Sequence, residues 1–579
     1  MQSYRLVKCD LLIIGSGAAG LRTAIEAHDK GTKELIIIGK CAKGDAHTVL
    51  ATGGINAALG TMDPNDTWEI HAADTLKEGG RIADYRQVTT LCRNAPDAVN
   101  ELVKWGARFH REKNGVLTQR FFGAHTYRRT CFYGDQTGKE IMRVLVNQVE
   151  KRRIRFLSNI FICSLIKNAD RIGGAIGIDF ANGEIIVFSA KSVVIAAGGY
   201  SKVYTRSSSR GYENHGDGAA LAFDIGVDLV DMEMVQFHPT GMVYPKGAQG
   251  TLVTEAVRGE GGILLNAKGE RFMKKYYPSR MELGPRDVVA RAIYSEIMKG
   301  NGTPHGGVWL DITSMPKEKI LDRLPKMYKQ FKDLVGIDIS KQRMEVAPTA
   351  HYTMGGVDVS LKGATSIKGL YAVGETVGQI HGANRLGGNS LLETMVFGKI
   401  VGGQAANFAK KNKTVSINKD KIDTQINSIF KFLNGKGRDA IGIRKRLQET
   451  MWKYAGISRN SKMLKLGVEK LNGLKKEFKE VRVRGGIRGN IDLRVALETQ
   501  KMFEICEAVL QSALMRKESR CAHYRTDYPK QNDKRWMVNI IARSASGALV
   551  LTTRKVPAVK GKLKGALKAI GRAEHRLLE

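Results

Sequence analysis

Five short stretches of this chain place His, Thr, Arg or Glu beside Gly or Pro: FHPTG (237–241), TLVTEAVRGEGG (251–262), GPRDVVAR (284–291), PTAHYTMGG (348–356) and HGANRLGGNSLLE (381–393). The flanking Gly and Pro put these residues on shaped loops rather than on helix faces. Singly, each has a plain structural reading: a satisfied histidine, a local Arg286–Asp287 ion pair, a capping Glu255. Together, His238, His351, Arg286, Arg385 and Thr254 would form a compact anion site. A guanidinium fork matches a carboxylate bidentately, so two such clamps suit an anion with two carboxylates. A sixth stretch, GDAHTVLATGGINAALG (44–60), sets the lone His47 in a glycine-rich run. A metal bond, a hydrogen bond and a covalent bond to a cofactor are all open to an imidazole there, although no second metal ligand stands at a helpful spacing.

These loops need a scaffold. KCDLLII (8–14) reads as a buried strand, GSGAAG follows, LRTAIEAHDKG has a helical pattern, and ELIII (34–38) is a second strand. This is a βαβ opening. Gly15, Gly17 and Gly20 match GxGxxG in the required strand–turn–helix context. The first Gly makes the turn, the second admits a pyrophosphate, the third packs helix on strand, and the helix N-terminus stabilises phosphate charge. The acidic residue expected about 20 positions on is missing, because Gly39 and Lys40 follow ELIII. That argues against ordinary NAD binding. KSVVIAAGGY (191–200) and GLYAVGETVG (369–378) are later strands ending at Gly198–Gly199 and Gly374–Glu375, which suggests one discontinuous domain returning to one cofactor. From about residue 420 the chain is helical and basic, and 551–579, with eight Lys/Arg against two Glu, reads as a loosely held tail. GDQTGKE (134–140) is too short between its glycines for a phosphate-binding P-loop, and Glu140 stands where Ser or Thr is needed.

At 579 residues the chain exceeds one core. Ninety-two Lys and Arg against 57 Asp and Glu leave a net charge of +35, a field usable by an acidic partner, an anionic membrane surface or a nucleic acid. No RNA-binding aromatic–basic motif or zinc-finger spacing appears, so no nucleic acid is expected. The seven cysteines include no CxxC, which excludes a disulfide framework and an iron–sulfur or zinc site in this chain and points to a reducing cytoplasm. No apolar run approaches the ~18 residues that span a bilayer, and the N-terminus lacks a signal-peptide layout. A cytoplasmic protein is expected, peripheral on the cytoplasmic face of a membrane only through partners.

With these motifs in hand, the chain resembles the flavoprotein subunits of succinate dehydrogenase and fumarate reductase, with L-aspartate oxidase a close relative. The resemblance is dense over residues 8–405 and resumes to ESRCAHYRTDYP (518–529), where Cys521 replaces the usual Gly. It implies an α/β fold class: a Rossmann-like FAD-binding domain (1–237 and 352–415), an inserted α+β capping domain (238–351), a C-terminal helical domain (416–517) and an extension with a basic tail (518–579). It implies FAD, joined covalently through His47 of HTVLATGGI, a substituent that raises the flavin potential; Thr52 replaces a usual Gln there. Gly15, Gly17, Gly20, Lys40, His47, Thr48, Gly53, Gly54, Gly199, Asp217, Glu375, Ser390 and Leu391 match cofactor-binding positions, Glu375 compensating for the acid missing after ELIII. His238, Thr254, His351 and Arg385, with Phe122, match the substrate site. Arg286 matches the residue that moves the proton, and Glu255 and Arg258 its proton route. An Arg in acid–base work is unusual because its pKa exceeds 12; a guanidinium poised at the reacting carbon and reprotonated along a relay makes it workable. The implied reaction is hydride transfer between flavin N5 and a four-carbon dicarboxylate, succinate or fumarate. Electrons would pass to a separate iron–sulfur subunit, backed by a membrane quinone anchor or a soluble thiol-type donor.

Two alternatives stand beside this reading. L-aspartate oxidase carries Glu in its R-E-G-G-H loop, where QRFFGAHTYRR (119–129) has Phe122, and lacks the flavin-linking His; His125 and HTYRR are oxidase-like. A non-catalytic basic anion-binding protein would explain the charge and none of the loops.

Overall fold

The apolar run at the start of the chain forms β1 (Arg5–Ile14), whose last four residues are buried, and all of β2 (Leu35–Ile38) is buried too. Strands covered on both faces read as unbroken apolar runs. The helix α1 (Ala18–Asp29) crosses between them. β3 (Arg155–Leu157), β4 (Ile160–Asn168), β5 (Arg171–Asp179) and β6 (Glu184–Ile195) complete a sheet in the order β3-β2-β1-β6-β5-β4, with Leu370–Ala372 also paired to β6. β1 runs parallel to β2 and β6, and Ile14 is in register with both Ile38 and Ile195. Ala372 is level with Ile195 as well. Several parallel strands therefore end together, which is where open α/β sheets bind ligands. The computed structural model describes residues 3–433, 437–545 and 547–578.

A second sheet is antiparallel throughout: β7 (Val235–Met242), β8 (Ile263–Leu265), β9 (Val308–Asp311) and β10 (Met344–Thr353), in the order β7-β10-β9-β8. Its register breaks on both sides of Phe237–His238. Pro239 cannot donate to the ladder, so the strand bulges there and re-aims its neighbours. The residues around this sheet have their own core, including Met242, Val253, Ile293, Leu310 and Val346.

Three further helices carry site residues: α2 (Trp68–Glu78), α3 (Arg286–Glu296) and the long α4 (Asn389–Lys411). α4 lies close on α1 because Gly398 and Gly402 leave room; a Cβ at Gly402 would sit 2.4 Å from the Thr23 carbonyl oxygen. α5 (Ala440–Ala455), α6 (Ser461–Phe478) and α7 (Ile491–Met515) are N-capped by Asp439, Asn460 and Asn490. They add Leu447, Leu471 and Leu510 to the main core.

The C-terminal stretch is ordered differently from the expectation of a loose tail. β11 (Val538–Ala545) and β12 (Ala548–Lys555) form a hairpin, and α8 (Gly561–Leu578) follows. Leu563 is buried with Ala72, Ala73 and Leu76 of α2, and Leu567 and Ile570 pack against the same cluster. These apolar residues recur one helical turn apart, so the helix has a face to bury, while Lys562, Lys564 and Lys568 stay exposed.

Candidate active site

One elongated cavity begins at the strand ends and runs to the second sheet. At its first end, Gly15 has φ +120°, and a Cβ there would lie 2.0 Å from the Ala196 carbonyl oxygen, so no other residue fits. Gly20 sits behind the wall, where a Cβ would meet the Gly15 carbonyl oxygen at 2.0 Å. Gly17 precedes α1 with no side-chain cap. The first-turn amides therefore face the cavity, apart from that of Ala18, which donates to Thr48 Oγ1 at 3.2 Å. The uncapped N-terminus of α4 lies at the same cavity, next to Ser390 and Leu391. An elongated dinucleotide matches these features: two helix ends and a glycine cradle for its phosphates, and a buried carboxylate oxygen, Asp217 Oδ1, without a partner among the described residues, for a hydroxyl or amino donor. The FAD that the resemblance implies fits these residues.

The other cofactor candidates divide. Lys40, Thr48, Gly53, Gly54, Asp217 and Glu375 line the cavity, as does Thr52. Lys40 Nζ is engaged by Asp217 at 2.6 Å and by Glu498 of α7 at 3.1 Å. Burial opposes its charge, but these two carboxylates hold its pKa above the ordinary value. Gly199 lies outside the lining; a Cβ there would meet Glu375 Oε1 at 2.5 Å, so this Gly makes room for the carboxylate. Burial pushes the Glu375 carboxyl up to about 7. His47 points Nδ1 at Glu213 Oε1, 2.8 Å away, and Glu213 is held in turn by Arg210. Burial works against the imidazolium, yet Glu213 raises the His47 pKa. Nδ1 is thereby occupied, and Nε2 is the ring nitrogen left for the cofactor.

At the other end, chain segments far apart in sequence converge. β7 supplies His238, β10 supplies His351, and their ring centroids are 5.2 Å apart. His238 Nδ1 is tied to Thr240 of its own strand, 3.0 Å from the carbonyl oxygen and 3.2 Å from the amide. His351 Nδ1 meets Ser208 Oγ at 2.8 Å. Burial drives both histidines well below the ordinary pKa, so both are neutral and can offer Nε2 to a ligand. Thr254, Glu255, Arg286, Arg385 and Phe122 line the same cavity. Arg286, the first residue of α3, binds Glu255 Oε2 through Nε at 2.8 Å and Nη2 at 2.7 Å. Burial raises the Glu255 pKa, but Arg286 and Arg258 outweigh it and hold the carboxyl down at about 2. Burial, reinforced by Arg286, lowers Arg385 to about 9. Arg385 stacks on Tyr352 at 4.5 Å from the ring centre, and its buried Nε has no partner among the described residues. The Phe122 ring fills the space over Gly53 and Gly387, where added Cβ atoms would lie 3.1 and 3.0 Å from it.

Arg258 stands apart. It does not line the cavity, it donates to the Glu282 carbonyl, and it makes no ion pair with Glu255 among the described residues. Its charge reaches Glu255 only at longer range.

Gln236, Ser208 and Glu213 are not among the residues predicted from sequence. Gln236 stands two positions before His238 on one strand, so a period-2 reading of QFHPTG offers a signal for it. Ser208 and Glu213 lie in a stretch without chemical spacing and offer none.

Comparison with known proteins finds relatives along nearly the whole chain. Residues 10–391 match the family model described as FAD binding domain, and residues 444–564 the one described as Fumarate reductase flavoprotein C-term. The chain is 44% identical to a chain of the fumarate reductase (CoM/CoB) of Methanothermobacter marburgensis, over 93% of this chain and 97% of that protein. It is 36% identical to the succinate dehydrogenase flavoprotein subunit of Rickettsia bellii over 96% of each. Among solved structures, Mycobacterium smegmatis Sdh1 in complex with UQ1 superposes with a TM-score of 0.89 at 37% identity, covering 98% of both chains.

Proposed function

Because the chain belongs to the succinate dehydrogenase/fumarate reductase flavoprotein family and is an FAD-dependent oxidoreductase, we propose that it interconverts succinate and fumarate, with FAD supplying the hydride acceptor or donor at N5. The observation that carries this reading is the convergence of Arg286, Arg385, His238 and His351 on a cavity shared with Gly15 and His47.

In this reading Arg385, His238, His351 and Thr254 grip the two carboxylates. His351, with Nδ1 accepting from Ser208 Oγ, donates from Nε2, as does His238 in the tautomer whose Nδ1 accepts from the Thr240 amide, and Arg385 adds a buried Nε without a partner among the described residues. Arg286 moves the proton at the carbon next to the one exchanging hydride. Its Nε and Nη2 share Glu255 Oε2, so once Arg286 has given up a proton the Glu255 carboxylate, no longer held down by that cation, would take one from solvent and pass it to Arg286. Arg258 supports Glu255 electrostatically rather than by contact. Residues 238–351 carry most of these groups and act as a unit that closes over the FAD-binding part and keeps water out. Gly15, Gly17 and the α1 end would hold the pyrophosphate of FAD and Glu375 a ribose, and His47 would offer Nε2 to the flavin for the covalent link. Phe122 presents an apolar ring where a carboxylate would be needed to pair with an aspartate amine, which favours a dicarboxylate without an amine.

Electrons enter or leave through a separate iron–sulfur subunit. Relatives are named for CoM/CoB and for 8-methylmenaquinol, which supports either a thiol or a quinol as the redox partner behind it. No helix among the described residues is long and apolar enough to cross a membrane, so any membrane attachment would come through partner subunits. Dye-linked assays with succinate, fumarate and aspartate test the reading. Turnover of the first two supports it, and turnover of aspartate alone replaces it with the oxidase.

A further inference from the structure

Arg286 and Arg385 approach one another closely although both are cations. The atom between them belongs to Gln236, a fully buried residue of β7. Gln236 Oε1 accepts from Arg286 Nη1 at 3.1 Å and from Arg385 Nη2 at 3.0 Å. Its Nε2 donates to Asn384 Oδ1 at 2.6 Å and to the Arg385 carbonyl at 2.8 Å.

The orientation of this amide follows from its neighbours. Asn384 Nδ2 donates to Glu78 Oε1 at 2.7 Å and to Asp287 Oδ1 at 3.0 Å. Asp287, which also pairs with Arg291 at 2.8 Å, is an acceptor and can face only the NH₂ end of Asn384, so the Asn384 oxygen faces Gln236. Gln236 then presents NH₂ to Asn384 and oxygen to the arginines. All four hydrogen-bonding positions of the amide are used.

An amide oxygen holds both guanidinium groups by dipole without cancelling the charge of either. A carboxylate at the same point would do the holding equally well, but as an internal counter-ion. We propose that Gln236 is a positioning residue for substrate binding: it sets the spacing of the Arg286 and Arg385 guanidinium groups and, being uncharged, leaves their charge free for the incoming dicarboxylate. This rests on the dicarboxylate reading above.

The isosteric substitution Gln236→Glu separates charge from shape. Holoprotein with its FAD is titrated with malonate and with succinate, following the flavin absorbance, and assayed with succinate and a dye. Gln236→Glu should weaken dicarboxylate binding and raise KM by at least about tenfold, the low end of one charge-assisted hydrogen bond. Its thermal midpoint should fall less than that of Gln236→Met, because the new carboxylate pairs with both arginines even though its second oxygen faces the Asn384 oxygen and the Arg385 carbonyl. A purely structural Gln236 would lose affinity in step with stability in both variants, whereas a charge role makes Gln236→Glu, the less destabilised of the two, the one that loses more affinity. Gln236→Met, which keeps both cations but removes the acceptor, should raise KM and lower the midpoint together. Binding within threefold of wild type in Gln236→Glu, or in a folded Gln236→Met, overturns the inference alone. A wild type whose flavin responds to no dicarboxylate and which turns over no succinate overturns the dicarboxylate reading, and this inference falls with it.

Discussion

Replacing Arg286 by Lys should remove most of the turnover while leaving the flavin bound. Arg286 makes three side-chain contacts at once: Nε and Nη2 to Glu255 Oε2, and Nη1 to Gln236 Oε1. A lysine ammonium is a single point on a flexible stem and can keep one of them. Hydrogen bonds to charged groups are each worth about 1.5–3 kcal/mol, so losing two removes roughly 3–6 kcal/mol of positioning. Each 1.4 kcal/mol or so off the barrier is tenfold in rate, which puts the loss in kcat on the order of 10²–10⁴-fold. Flavin content should not change, because the residue lies at the substrate end of the cavity, away from the glycine cradle. Dicarboxylate affinity should fall less than kcat, since Arg385, His238 and His351 keep their places. The assay is steady-state succinate–dye turnover per bound flavin, beside a malonate titration of the same preparation. A kcat within tenfold of the wild type refutes the role given to Arg286; a large loss of flavin refutes the spatial separation of the two ends.

Three further outcomes follow from the same geometry. The Glu255 carboxyl, held down at about 2, contributes stability that is present above its unfolded pKa of about 4.3 and is lost as pH falls toward 2; the difference in unfolding free energy between wild type and Glu255→Gln, from urea titrations, should therefore shrink from pH 5 to pH 3 by roughly 1.5 kcal/mol, and a constant difference contradicts the ion pair. Acid precipitation should leave the yellow colour on the protein and release it from His47→Ser; colour released from the wild type rules out the covalent bond. Leu563, 4% exposed, anchors α8 on α2, so Leu563→Ala should cost about 2–5 kcal/mol of local stability, seen as faster amide hydrogen exchange over residues 561–570; unchanged exchange would show that the helix is held by something else.

Much of this protein is written locally in its chain. The βαβ opening is legible because a strand, a turn and a helix are specified by residues a few positions apart, and Gly15 can be read as obligatory from the turn it must make. The five loops and His47 stand out because their residue types are chemically unusual beside Gly and Pro. The FAD family follows from those motifs taken together. What only the folded molecule decides is which groups meet. Lys40 pairs with Glu498, Glu213 with His47, and Gln236 lies between Arg286 and Arg385; in each case the partners are tens to hundreds of residues apart. Such encounters are set by sheet register, by the bulge at Pro239 and by how α3, α4 and α7 pack, none of which leaves a spacing in the sequence. The same holds for Arg258, which turns to the Glu282 carbonyl instead of Glu255. It holds too for α8, whose apolar face shows its purpose only when α2 is there to receive it.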